Sequence, residues 1–229
     1  MFKLIKNILF PKYCLNCKKF GTYICSSCQK GLLLLENSLC FYCEKESPKG
    51  FTHEQCVHLN GVDRFMSVFH YNGVLKKILA NIKYRLVSDG FEDIFLLLKP
   101  EVQNKCMKEV DLSTPLYFQP VPLHKNRQKQ RGFNQSEIIA KWLAKEVDGR
   151  NLNVLTRVKE TKTQAQLGRE ERIVNAKGAF SVRKGPDIKG LSIVIVDDVV
   201  TTGSTVSEAA TLLKQAGAAE VYVFSIAKG

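Results

Sequence analysis

The sequence predicts an α/β fold: a doubly wound parallel sheet preceded by a small, metal-stapled module. Three observations predict it. The run Ile193-Val194-Ile195-Val196 is apolar and β-branched throughout, as in a parallel strand covered on both faces. Strand-like runs alternate with helical patterns from Met66 to the end of the chain, as in βαβ units. Seven of the eight cysteines lie before residue 60, grouped in pairs. A chain of 229 residues, 45% apolar and 24% charged, has room for one substantial core plus a small module, and is neither disordered nor fibrous in composition. The expected division is 1–60 and 61–229, with the border near Leu59 to Asp63.

The N-terminal segment places Phe2, Ile5 and Leu9 on one helical face, and Pro11 ends the pattern. It is too short to span a bilayer and has no small-residue cleavage site, so neither a transmembrane helix nor a signal peptide is expected. The expected compartment is the cytoplasm. The short helix either docks on its own domain or lies on the inner membrane face. The net charge of +12 favours polyanionic partners: phosphates, nucleic acid or an anionic membrane surface.

Four two-residue knuckles follow: Cys14-x2-Cys17, Cys25-x2-Cys28, Cys40-x2-Cys43 and His53-x2-Cys56. A C-x2-C turn presents two thiolates to one tetrahedral Zn²⁺, and eight ligands would fill two closed structural sites. A disulfide framework is the competing reading, disfavoured in a reducing compartment. Spacing alone leaves the pairing of the knuckles open, and with it whether one ion or two is held. His58 is near enough to replace His53. Cys106 stands alone in a helical pattern as a small hydrophobe.

Downstream, Met66 to Tyr71 reads as a strand and Gly73 to Tyr84 as a helix with Leu75, Ile78, Leu79 and Ile82 inward. Phe91 to Met107 is a second helix, interrupted by Pro100. Lys83 and Arg85 suit a pyrophosphate, although cations at a helix C-terminus also suit the macrodipole. Leu116 to Pro122 is a strand. It leads into a basic stretch, Lys125, Arg127, Lys129 and Arg131, with no apolar stripe, which reads as an exposed loop. Asn134 with Glu137 caps the next helix, Gln135 to Val147, and the basic loop thus delivers cations to a helix N-terminus. Asn153 to Leu155 reads as a strand. The polar stretch 157–172, with Gln164, Gln166 and Arg169, reads as a loop able to close over a site. Glu220 to Ile226 is the last strand.

The buried strand at 193–196 ends in Asp197 and Asp198, followed by Thr201-Thr202-Gly203-Ser204-Thr205 and a helical pattern to Gln215. Backbone amides and the helix dipole suit a phosphate, Gly203 permits close approach, and two carboxylates suit vicinal ribose hydroxyls. The plainer reading makes Thr205 and Glu208 a capping box and the acids a strand end.

This segment closely resembles the 5-phosphoribosyl-1-pyrophosphate (PRPP) loop of type I phosphoribosyltransferases. The resemblance implies that Asp197 and Asp198 bind the ribose hydroxyls and carry catalysis. It gives Thr201, Thr202, Gly203, Ser204 and Thr205 the 5′-phosphate. Arg131 and Lys83 would meet the diphosphate, with Mg²⁺ held mostly by PRPP itself. Pro120-Val121-Pro122-Leu123-His124 with Arg127, Arg131-Gly132-Phe133-Asn134-Gln135, Thr163 to Leu167 with Arg169, Arg172 and Asn175, and Gly178-Ala179-Phe180 resemble the signature of the ComF family of competence-associated proteins. Membership implies a zinc-ribbon module fused to a phosphoribosyltransferase domain, handling incoming single-stranded DNA with other competence proteins. His53 departs from the pattern, since a cysteine is the usual partner of Cys56. The alternatives are a non-catalytic single-stranded-DNA-binding factor on the same scaffold and a salvage enzyme for a free nucleobase.

Overall fold

The computed structural model describes residues 11–57, 61–85, 90–106, 115–160, 176–183 and 185–229. The N-terminal amphipathic segment, His58, the stretch containing Gln164, Gln166 and Arg169, and the side chains of Arg85 and Cys106 lie outside what is described. Among the described residues no helix is long and apolar enough to cross a membrane.

Five parallel strands form the main sheet: β1 (Arg64–His70), β2 (Tyr117–Pro120), β3 (Arg150–Asn151), β6 (Ser192–Val200) and β7 (Glu220–Lys228), in the order β1-β7-β6-β2-β3. The last strand is therefore interior, between β1 and β6. Two short strands, β4 (Leu155–Arg157) and β5 (Phe180–Val182), pair antiparallel in a separate ribbon. Gln119 links the two sheets: its buried Oε1 accepts from the amide of Val154 at 2.8 Å. Asn153–Leu155, expected as one strand, instead begins this ribbon at Leu155.

The strand at the centre of the sequence pattern behaves as its composition demands. Val194 and Val196 pack on one face with α2 (Gly73–Arg85), α3 (Gly90–Glu101) and α5 (Gln135–Glu146). Ile193 and Ile195 pack on the other with α6 (Ser204–Gln215). All four are fully buried, each stabilising the fold by roughly 1.5–3 kcal/mol. Leu75, Ile78, Leu79 and Ile82 are buried as the helical period required. In α3, Pro100 lies inside the helix, and the chain continues as a wider, π-type turn at Val102–Cys106.

One expectation fails. Lys125–Arg131 is a helix, α4, where the absence of an apolar stripe suggested a loop. Its caps decide the matter: the ring of His124 accepts from the Asn126 amide, and Gly132 closes the helix at φ 70°.

The cysteine-rich segment, which holds the short helix α1 (Ser26–Gln29), wraps the β1 edge of the sheet. Leu33 and Leu35 bond antiparallel to β1 through His70 N–H to Leu33 O and Leu35 N–H to Val68 O, each at 2.8 Å, which covers an edge that would otherwise template aggregation. Cys14, Leu15 and Ile24 join the core on one face, while Phe41 and Tyr42 pack against the core on the other. Asp93 of α3 fastens the first part, its Oδ2 accepting from the Thr22 hydroxyl and the Tyr23 and Ile24 amides at 2.8, 3.0 and 3.1 Å.

Candidate functional site

α5, in the connection from β2 to β3, lies on one face of the sheet and α6, in the connection from β6 to β7, on the other. The crevice between the carboxyl ends of the adjacent strands β2 and β6 is thus a topological switch point, where open α/β sheets bind ligands. β6 delivers the acidic pair there. A shallow, open cleft there is lined by Asp197 and by Val199 to Val206. Gly203, at φ 74°, is the N-cap of α6, so the hydroxyl-bearing turn and the positive helix end share one cavity. Glu208 does not close a capping box. Its Oε1 accepts from the Gly178 amide at 2.7 Å, and it is the Thr202 hydroxyl that meets the first amide of α6, that of Ser204, at 3.5 Å.

The two acids have different surroundings. Asp197 faces the cleft, and its Oδ1 accepts from the Ser136 hydroxyl at 3.0 Å and from the Asp198 amide at 2.9 Å. Burial, with Asp198 beside it, pushes its carboxyl up to about 7. Asp198 is buried and turned to Lys83, whose Nζ lies 2.5 Å from its Oδ2. Burial works against the Lys83 charge, but attraction to Asp198, reinforced by Asp197, outweighs it and holds the ammonium above its ordinary range.

Lys83, far away in sequence, is therefore brought to the acidic pair. Arg131 stands at the end of α4 with its Nη1 on Gln135 Oε1 at 3.3 Å, close enough to repel Lys83. Two further residues belong here that the sequence did not single out. Ser136 is the hydroxyl that holds Asp197, and its only signal was its place just after the Asn134 cap. Arg157 ends β4, with its guanidinium over the Phe180 ring at 5.4 Å. Burial and then Arg127 lower its pKa, while Asp197 acts to raise it, so a basic wall adjoins the acids.

The cysteines fall into two clusters, and the pairing left open by spacing is consecutive: Cys14, Cys17, Cys25 and Cys28, then Cys40, Cys43, His53 and Cys56. In each, all four ligand atoms lie within 4.8 Å of one another, which fits a closed tetrahedral ion. His53 joins the second cluster with Nδ1 3.3 Å from Cys43 Sγ, while its Nε2 lies 3.1 Å from the carbonyl of Glu46, the second bond that orients a ligating imidazole. Both clusters could hold zinc.

Comparison with known proteins agrees with this architecture. The phosphoribosyl transferase domain family matches residues 134–228. Competence protein F of Haemophilus influenzae is 30% identical over 229 residues, covering 91% of this chain and 98% of that protein. The DNA utilization protein YhgH of Salmonella typhimurium is 37% identical, covering 72% of each, and Competence protein ComFC of Bacillus subtilis is 30% identical, covering 70% of this chain and 62% of that one. Adenine phosphoribosyltransferase of Saccharomyces cerevisiae gives a TM-score of 0.37 at 16% identity, covering 62% of this chain and 72% of that one. With near-complete coverage of a competence protein, a parallel phosphoribosyltransferase-type sheet and two cysteine clusters in front of it, the chain belongs to the ComF family of competence-associated proteins.

Proposed function

We propose that this chain binds PRPP with Mg²⁺ at the β6–α6 junction and acts in DNA uptake, on or together with single-stranded DNA. The observation that carries the reading is that Asp197 and the loop 201–205 line one cleft at the sheet's switch point. In this reading Asp197 and Asp198 take the ribose hydroxyls. Thr201, Thr202, Gly203, Ser204 and Thr205 take the 5′-phosphate, and Lys83 and Arg131 face the diphosphate. Mg²⁺ arrives on the ligand's own phosphates. Departure of pyrophosphate from C1 of the ribose would develop positive charge on the sugar, so the protein's work is positioning and charge stabilisation. The eight ligands of the two clusters carry structural zinc. Residues 1–60 form the metal-bearing part and 61–229 the phosphoribosyltransferase-like part, and we place the protein in the cytoplasm.

Calorimetry with Mg²⁺-PRPP tests this. Binding is expected for the wild type and none for the Asp197→Ala, Asp198→Ala variant; equal heats for the two remove the reading. Pyrophosphate release, screened against nucleobases, amines and single-stranded DNA, then separates a transferase from a binding protein.

A second reading, binding of single-stranded DNA without turnover, is favoured by one feature. Tyr13 and Phe20 flank the first cluster as an exposed aromatic pair, ring centroids 5.7 Å apart, with Lys18 and Lys19 exposed beside them. Exposed rings among cations suit the stacking of unpaired bases. Oligonucleotide binding that survives loss of both aspartates but weakens on Tyr13→Ala with Phe20→Ala would support it.

A further inference from the structure

The two metal clusters share one knuckle geometry. Cys14 and Cys40 each donate an amide to a carbonyl five residues on, and accept one from Lys18 and Glu44, respectively, both at positive φ. Their outer sides differ. In the first knuckle Leu15 packs beneath α2 and α3, against Ile82 and Gly90, and Lys18 is exposed. In the second, the residues between and after the ligands reach the loop that follows β6.

Three contacts make that connection. The Phe41 ring lies under Gly203, with its Cζ 2.7 Å from where a Cβ would stand, and it is held edge-on by Tyr42 and Phe65. Phe41 thus braces the loop by packing against its glycine. The Tyr42 hydroxyl accepts from the Val62 amide at 2.8 Å, fixing the knuckle against the entry to β1. Glu44 pairs with Lys228 at 3.1 Å, and the same ammonium donates to the Thr201 carbonyl at 3.2 Å. Each contact starts within a residue of Cys40 or Cys43 and two of them end on the turn 201–203.

We propose that the second metal knuckle is a positioning element of the sugar-phosphate cleft, with Phe41 and the Glu44–Lys228 pair transmitting the state of the Cys40, Cys43, His53 and Cys56 centre to the loop 201–205. This rests on the proposed reading of that loop as a phosphate site. Metal held there fixes the backbone of residues 40–44, and the aromatic ring and ion pair then fix the turn. Coupling of this kind is reciprocal: a ligand that orders the turn must tighten metal at the second centre and leave the first unaffected.

The test uses the zinc-loaded full chain and ribose 5-phosphate as probe. Zinc release to a chromogenic chelator is followed with and without the sugar phosphate, and the Cys17→Ser chain assigns the phase belonging to the second centre. That phase is expected to slow about fivefold or more on saturation, within the ordinary range of coupling energies, while the other phase is unchanged. Phe41→Ala, or the milder Phe41→Leu and Glu44→Gln if the alanine chain does not fold, should abolish the difference. Equal slowing of both phases, or no slowing although ribose 5-phosphate binds, overturns the proposal. Amide exchange at Ser207 and Gly229, bonded to Gly203 O and Val200 O, reads the mechanical link without ligand. Faster exchange at both in Phe41→Ala upholds the link even if ribose 5-phosphate fails to bind, in which case the phosphate reading alone falls. Unchanged exchange refutes the link.

Discussion

Gly203→Ala isolates what the turn requires. At φ 74° an L side chain costs about 1–2 kcal/mol from its own backbone clash. The new methyl would also stand 2.7 Å from Phe41 Cζ, closer than real Cβ contacts come, and 3.0 Å from Cε2. The ring has little room to withdraw, since Tyr42 and Phe65 meet it at centroid distances of 4.9 and 5.9 Å, so overpacking adds about 1–3 kcal/mol. The sum, about 2–5 kcal/mol, should lower the melting temperature by roughly 5–15 °C for a chain of this size. Denaturant titration of the zinc-loaded protein measures it. The separation of the two parts comes from a double-mutant cycle with Phe41→Ala. In that background the steric part vanishes and only the backbone part remains, giving a coupling of about 1–3 kcal/mol. A Gly203→Ala cost that is the same in both backgrounds refutes the packing of the knuckle against the turn.

The remaining predictions concern charge and metal. Asp197 has a folded-state pKa raised from 3.8 to about 7, so the folded state binds its proton more tightly than the unfolded chain does; this stability is present below about pH 4, is lost as pH rises towards 7, and is flat above. The difference between wild-type and Asp197→Asn stability curves, measured by urea titration from pH 4 to 8, should show that slope, and parallel curves would remove the buried, acid-flanked assignment. Metal analysis should give two zinc ions per chain, and one for His53→Ala; two in the variant would exclude His53 as a ligand. Asp93→Ala withdraws one carboxylate from Thr22, Tyr23 and Ile24, for which about 2–4 kcal/mol is expected in denaturant unfolding, with faster exchange of the Tyr23 and Ile24 amides. Lys83→Met leaves Asp198 buried without its cation, so a loss of about 3–5 kcal/mol is expected in denaturant unfolding at neutral pH.

What the sequence made legible was local. The strand 193–196, the acidic pair, the glycine turn and the helix after it lie in one uninterrupted stretch, and each follows from its own composition. The inward stripe of α2 and the Asn134 cap were legible for the same reason. The rest depends on contacts between distant segments. Nothing near Lys83 announces Asp198, and Ser136 and Arg157 reach Asp197 only once β2, β4 and β6 are assembled. The pairing of the cysteine knuckles needs the sheet edge between them, because Leu33–Leu35 is too short to announce that it pairs with β1. The helix α4 was missed because seven residues without an apolar face carry no period, and its two caps, a histidine and a glycine, are weak signals when read alone.

The acidic pair itself argues for a ligand. Two adjacent carboxylates in a buried strand repel one another and lose water, and β6, which runs on past them to Val200 where the sequence suggested an end at Val196, would be served better there by apolar residues. Here the fold manages them separately: Asp198 by a half-buried lysine, Asp197 by a serine hydroxyl and a carboxyl shifted towards the neutral form. Neither arrangement uses the cleft that Asp197 faces. In the proposed reading the compensations restrain the charges from behind and leave the side that Asp197 presents to a partner rich in hydroxyl donors, which that carboxylate can accept, and in phosphate, which the helix end and the neighbouring cations can take. A vicinal diol carrying phosphate at both ends meets all three demands at once, whereas a free nucleobase or a bare metal ion meets only one. Local rules of sequence fail most visibly at Asp197 and Asp198, and a violation contained in this way is what the proposed ligand site requires.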